Sequence, residues 1–295
     1  IDGEILLRTA DIAGALSLEN SFSSRRVFRK DVHQLKDHPG QQVSARNVFK
    51  MLSGSDIVRS HGNCGKVQDP YSFRCIPHVY GACRDSFQLS AIMINNEINS
   101  VSDNPLIMDR STVLSSGHFH AEHVAQALDM LAISFSEIGA ISERRTHYFM
   151  KGIDPMVPPF ITSDPGLESG YMIAHVTASA LASENKTLAH PASVDSLPTS
   201  GGQEDQVSMA PWAGNKLFEI QRNVASILAI ELMVAGAANK IASSNMQAGK
   251  GTELVLNILN DLCNYSKGDR SLSPEIEEIT KLISSGYLTK DITKT

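Results

Sequence analysis

AEHVAQALDMLAISFSEIGAISERRTHY, residues 121–148, is the stretch whose reading decides the fold. Val124, Ala127, Leu128, Leu131, Phe135 and Ile138 recur at three- and four-residue steps, the stripe of an amphipathic helix over many turns. A break follows from Gly152 to Gly166 with four prolines (Pro155, Pro158, Pro159, Pro165), enough to end a helix. Gly170–Leu188 reads as a second, alanine-rich helix. Trp212–Met246 reads as a third and the longest, with Ile220, Val224, Ile227, Leu228, Leu232 and Val234 on its apolar side. Ser273-Pro274-Glu275 predicts a further helix to about Ser284, with Ser273 as N-cap and an acid in the first turn.

Period-two alternation is almost absent, so the predicted class is all-α: long helices joined by polar loops. Small residues at helical spacing (Ala174, Ala178, Ala182; Ala235, Ala238, Ala242) predict close packing, inside a bundle or against another subunit. The chain has 295 residues, 42% of them apolar, which excludes disorder for most of its length. Twenty-six Lys+Arg against 32 Asp+Glu leave −6, no footprint for nucleic acid or an anionic membrane. No uninterrupted apolar run reaches the length of a bilayer span, and Val224–Ala238 is broken by Glu231. Four cysteines (Cys64, Cys75, Cys83, Cys263) form no CxxC pair, and with a start lacking signal-peptide character they predict a cytoplasmic protein. Ile1-Asp2-Gly3-Glu4 has no initiator Met, as a segment of a longer protein would read.

Three segments concentrate functional residue types. In Gln68-Asp69-Pro70-Tyr71-Ser72-Phe73-Arg74, after Gly62-Asn63-Cys64-Gly65, Tyr71 offers a proton-transfer hydroxyl and Arg74 a fork for a carboxylate. The plain alternative is a polar loop capping a helix that begins near Gly81. In Ser116-Gly117-His118-Phe119-His120-Ala121-Glu122-His123, three histidines invite a metal-dependent hydrolase, but the spacing matches no strong zinc signature and no metal is expected. In SLPTSGGQEDQVSM (196–209), Gly201-Gly202 allows close backbone approach to a ligand, and Gln203, Glu204 and Asp205 stand near a helix start. Asp103-Asn104-Pro105 is a turn signal, and Ser142-Glu143-Arg144-Arg145 reads as a solvated or salt-bridged face.

VQDPYSFRCIPHVYGA (67–82), NEINSVSDNPLI (96–107), SGHFHAEHVA (116–125), SEIGAISERR (136–145), SENKTLAHPASVDSLPTSGGQEDQVSM (183–209) and SLSPEIEEITKLISSG (271–286) together resemble the aromatic amino-acid lyase family. Within it they are most similar to the histidine ammonia-lyases, over nearly the whole chain. The resemblance implies a long-helix bundle of the histidine/phenylalanine ammonia-lyase type, lacking the N-terminal part. Residues 1–295 would be the C-terminal portion, a central bundle with a helical tail at about 250–295.

It also implies non-oxidative elimination of ammonia from L-histidine to urocanate by a homotetramer, with tyrosine or phenylalanine lyase or aminomutase activity next. The family uses a methylidene-imidazolone electrophile made from an internal Ala-Ser-Gly, and no Ala-Ser-Gly occurs here. Thr199-Ser200-Gly201 matches a later segment, so the electrophile is expected from sequence absent from this chain, or from a partner chain bearing it. On that view the chain alone is inactive, or a silent assembly scaffold. Position by position, Tyr71 matches the family's active-site tyrosine and Arg74 the arginine that pairs with the substrate carboxylate. Gln68 matches a glutamine supporting the substrate, Phe119 an aromatic lining the electrophile pocket, and Glu204 an acidic residue near the substrate amine. His118 stands where asparagine is common in the family, and Gln206 where histidine-specific members often carry histidine.

Overall fold

In a computed structural model that describes residues 2–62, 67–265 and 268–292, the 121–148 stripe is carried by a helix running Glu122–Met150. The main helices in chain order are α1 (Asp2–Asn20), α2 (Pro39–Met51), α3 (Ile76–Ile98), α4 (Glu122–Met150), α5 (Met172–Leu188), α6 (Ala210–Ala242), α7 (Lys250–Leu262) and α8 (Ser273–Ser284). One two-residue antiparallel ladder, β1 (Leu106–Ile107) with β2 (Val113–Leu114), closes the loop between α3 and α4. The class is therefore the expected one.

Helix α6 is the axis. Every residue from Ile227 to Ala235 has no exposed surface, as a helix apolar around its girth requires. Helices α4, α1, α5 and α8 pack on it, α3 lies along α4, and α2 along α3. Ala174, Ala178 and Ala182 form one buried stripe of α5, and Gly139 of α4 faces Val224 and Ile227 of α6 and Asn185 of α5. The small residues thus serve helix contacts within this chain. Windows of 18 residues in α4 and α6 reach mean hydropathies of 1.4 and 1.6, which meet the threshold for a bilayer span even though no unbroken apolar run does. Of those windows, 56% and 78% lie buried within the bundle, so helix neighbours cover much of their apolar surface.

Two helix starts differ from expectation. Helix α3 begins at Ile76 and not near Gly81, because Pro77 is tolerated in a first turn where no N–H is needed. Gly81 is instead a crossing point. A Cβ there would fall 2.5 Å from the backbone of Gln41, and one on Gly40 would fall 2.4 Å from the Gly81 carbonyl. Gly81→Ala should therefore force α2 from α3 and cost about 1–3 kcal/mol. A thermal midpoint equal to that of the parent protein would refute the crossing. At α8 the N-cap is Leu272, with Ser273 already helical and its hydroxyl 3.1 Å from Glu277.

Of the two readings offered for residues 142–145, the salt-bridged one holds. Ser142, Glu143 and Arg145 are buried and only Arg144 is solvated, so the charged quartet on α4 turns mostly inward. Arg145 and Glu231, both fully buried, form a two-toothed ion pair between α4 and α6: Nε donates to Oε1 at 2.5 Å and Nη2 to Oε2 at 2.8 Å. The hydroxyls of Ser17 and Ser142 each donate to this carboxylate at 2.6 Å. Arg145 Nη2 also donates to the Tyr80 hydroxyl at 2.5 Å. Burial opposes charge on Arg145, but Glu231 and Tyr80 together outweigh burial and raise its pKa. Elsewhere Lys216 of α6 meets Asp129 of α4 at 3.2 Å and donates to the His190 carbonyl, while Asp129 accepts from the Ser193 N–H at 2.8 Å. That pair fastens the loop leading into residues 196–209.

Candidate active site

The 68–74 motif forms a single helical turn, Tyr71–Arg74, whose Phe73 and Arg74 N–H groups both bond the Pro70 carbonyl at 3.1 Å. Four residues cannot sustain a helix alone, so tertiary anchors must fix it. Asp69 accepts from the Ser24 N–H at 2.7 Å. Phe73 is fully buried and meets the Tyr148 ring edge-on at 5.1 Å. Arg145 donates to the Ser72 carbonyl at 3.2 Å.

With that inner side fixed, the outer side chains are displayed. Tyr71 is 71% exposed, and the Arg74 guanidinium lies 4.7 Å from its ring centroid. Arg74 Nε is buried without a hydrogen-bond partner, an orphaned donor of the kind a ligand satisfies. Gln68 and Arg74 line one cleft of about 550 Å³ together with Phe22, Arg26, Arg59 and Asp69. The motif is thus neither a plain cap nor a closed pocket. Asn63, Cys64 and Gly65, which precede it, lie outside the described residues.

Phe119 and Glu204 belong to a second group. Phe119 is 58% exposed on the loop entering α4. That loop is pinned at one end by the Ser116 N–H on Asn104 Oδ1 at 2.7 Å. At the other end His120 Nε2 donates to the Gln206 carbonyl at 3.2 Å, joining it to the 196–209 segment. There Thr199 and Glu204 pair through their backbones, with Thr199 N–H to Glu204 O at 2.8 Å. Ser200, Gly201 and Gly202 all take left-handed φ (51°, 66° and 86°). The glycines therefore serve the turn, and the space around them is open. Glu204 lies in this loop six residues before α6, not at a helix start.

The Thr199 hydroxyl donates to Glu204 Oε2 at 2.7 Å, and with Ser200 it holds the Glu204 carboxyl below its ordinary value. Hydrogen bonds to the charged form do this, so removing one moves the titration upward. Thr199→Val should raise the Glu204 pKa, read by carbon NMR of the carboxyl. An unmoved titration would remove the hydroxyl as the cause.

His118 bonds Ser116 and His120 bonds Gln206, so these two histidines point to different partners. Among the described residues no three His, Cys, Asp or Glu side chains gather to hold a metal ion. No hydrogen bond or ion pair joins Phe119 and Glu204 to the Gln68, Tyr71 and Arg74 group among the described residues. The buried Arg145–Glu231 pair, which touches the Tyr71 turn, went unread in the sequence. Its signal was a lone acid inside the apolar run Val224–Ala238, which demands a counter-charge.

Comparison with known proteins places the chain among relatives. The family profile described as aromatic amino acid lyase matches residues 1–261. A histidine ammonia-lyase of Burkholderia cenocepacia is 48% identical over 288 residues, covering 97% of this chain and 57% of that relative. The crystal structure of a histidine ammonia-lyase from Trypanosoma cruzi superposes with a TM-score of 0.89 at 35% identity, covering 99% of this chain and 55% of that one. A tyrosine aminomutase structure from Streptomyces globisporus gives a TM-score of 0.91 at 27% identity, covering 99% of this chain and 60% of that one. The chain thus spans little more than half the length of the relatives it matches.

Proposed function

We propose, from the premise that this chain belongs to the aromatic amino acid lyase family, that residues 1–295 carry the substrate-holding part of an ammonia-lyase site. The reaction proposed is elimination of ammonia from L-histidine to urocanate. The observation that carries it is the anchored turn, which displays an exposed phenol beside a guanidinium with an orphaned buried N–H. Similarity to histidine ammonia-lyases at 48% identity supports the substrate.

The residues present fit a methylidene-imidazolone supplied by sequence outside residues 1–295. The Tyr71 phenol and the Phe119 ring both stand open to receive such a group. When bound, it supplies an electrophile that makes the substrate amine a better leaving group. The remaining work falls to this chain. The Arg74 fork receives the substrate carboxylate, and Gln68 beside it in the cleft supports that end. The Tyr71 hydroxyl moves the proton at the reacting carbon–nitrogen unit. Glu204, held as carboxylate by Thr199, accepts charge or a proton from the substrate amine.

A homotetramer, or a complex with an electrophile-bearing chain, would bring the two residue groups to one substrate. Exposed Leu89, Ile92, Ile173, Val176, Trp212 and Phe218 supply apolar surface for such contacts. Free Cys75, Cys83 and Cys263 support a reducing, cytoplasmic setting. Aminomutase activity is the second reading, favoured by the 0.91 TM-score against a tyrosine aminomutase.

The test is the whole polypeptide containing residues 1–295, given L-histidine, with both urocanate and β-amino acid followed. Urocanate with stoichiometric ammonia is expected. An isomeric β-amino acid instead would establish the mutase, and neither product would end the reading.

A further inference from the structure

The turn bearing Tyr71 and Arg74 is held at its backbone by a side chain from another helix. Arg145 is fully buried, and three of its N–H bonds are committed to Glu231 Oε1, Glu231 Oε2 and the Tyr80 hydroxyl. A guanidinium is planar, so fixing one edge fixes the direction of the other. That other edge presents Nη1 to the Ser72 carbonyl at 3.2 Å, midway along the four-residue turn. Glu231 is in turn held by Ser17 of α1 and Ser142 of α4, and Tyr80 stands on α3, so the anchor is built from four helices.

We infer that Arg145 is a positioning residue: through the Ser72 carbonyl it sets where the Tyr71 hydroxyl and the Arg74 fork are displayed. Its catalytic consequence rests on the lyase reading above, whereas its mechanical consequence does not. Lysine at 145 keeps the charge opposite Glu231, but its three N–H bonds radiate from one atom. They cannot span Glu231, Tyr80 and Ser72 together. Arg145→Lys should therefore free the turn while retaining an ion pair in the core.

Amide hydrogen exchange at Phe73, Arg74 and Cys75, followed in the whole polypeptide, reads this directly. Short turns exchange by local opening, so these amides report the anchor and not global stability. Arg145→Lys should speed their exchange about tenfold or more, the loss of one hydrogen bond to a charged donor. Ser17→Ala removes a different bond to Glu231, leaves the Ser72 contact, and should leave these amides unchanged. Equal exchange in the two variants overturns the inference.

Kinetics then separate the two claims. Arg145→Lys should raise KM for the amino acid and lower kcat, with Ser17→Ala changing neither. Faster exchange with unchanged kinetics would uphold the anchor and reject the roles given to Tyr71 and Arg74. If Arg145→Lys does not fold, the wild-type protein still decides. A slowly exchanging Arg145 Nη1 proton coupled to the Ser72 carbonyl carbon is expected by NMR, and its absence overturns the inference.

Discussion

Tyr71→Phe should lower kcat for the proposed ammonia release by about 10²–10⁴-fold, the usual loss when a positioned proton-transfer group is removed. The substitution is clean because of where the residue stands. At 71% exposure the hydroxyl supports no buried hydrogen bond, so the thermal midpoint should stay where it is. Phenylalanine also keeps a ring for the Arg74 guanidinium 4.7 Å away, a contact worth about 0.5–1 kcal/mol at exposed sites. Arg74 thus remains in place to bind carboxylate, and KM should move much less than kcat. Steady-state kinetics on the whole polypeptide, beside a melting curve, measure both. A turnover within twofold of the parent would remove Tyr71 from the chemistry.

Glu231→Ala has the largest expected effect on stability, about 3–5 kcal/mol, because it strands a charged Arg145 in the core. Proton loss brings no relief, since the guanidinium stays charged at any accessible pH. The surface pair Arg8–Glu4, with side chains 41% and 54% exposed, is the contrast, and Glu4→Ala should cost about 0–1 kcal/mol. Replacing Arg145 and Glu231 together by Met and Leu should recover much of the loss, giving a strong coupling energy in a double-mutant cycle. Denaturant titration reads all three. A loss under about 1 kcal/mol for Glu231→Ala would mean that water reaches the pair.

The fold was legible where one helix face differs from the other. The stripe at 121–148 found α4 within two residues at each end, and Ile220 to Val234 found the heart of α6. Helix α1 gave no such stripe, because its residues are buried on nearly every side, Asp11 and Glu19 included. Periodicity fails as a signal when both faces are covered. Within the site, Tyr71 and Arg74 were legible because local spacing puts them on one turn, with Gln68 three residues ahead of it. The joining of the Phe119 loop to the Glu204 loop runs between His120 and Gln206, 86 residues apart. No local pattern encodes such a meeting. Arg145 shares that difficulty, for its polar neighbours on α4 disguised a core residue whose counter-charge lies 86 positions away.

The His120 link also bears on how the site diversifies. His120 grips the main chain at position 206, while the Gln206 side chain stays exposed. The joint between the loops is therefore indifferent to which residue occupies 206. Glutamine, histidine or another side chain can stand there without redrawing the loop's path. Architecture and chemical vocabulary are uncoupled at that one position, which leaves its side chain open to single substitutions that keep the loop in place.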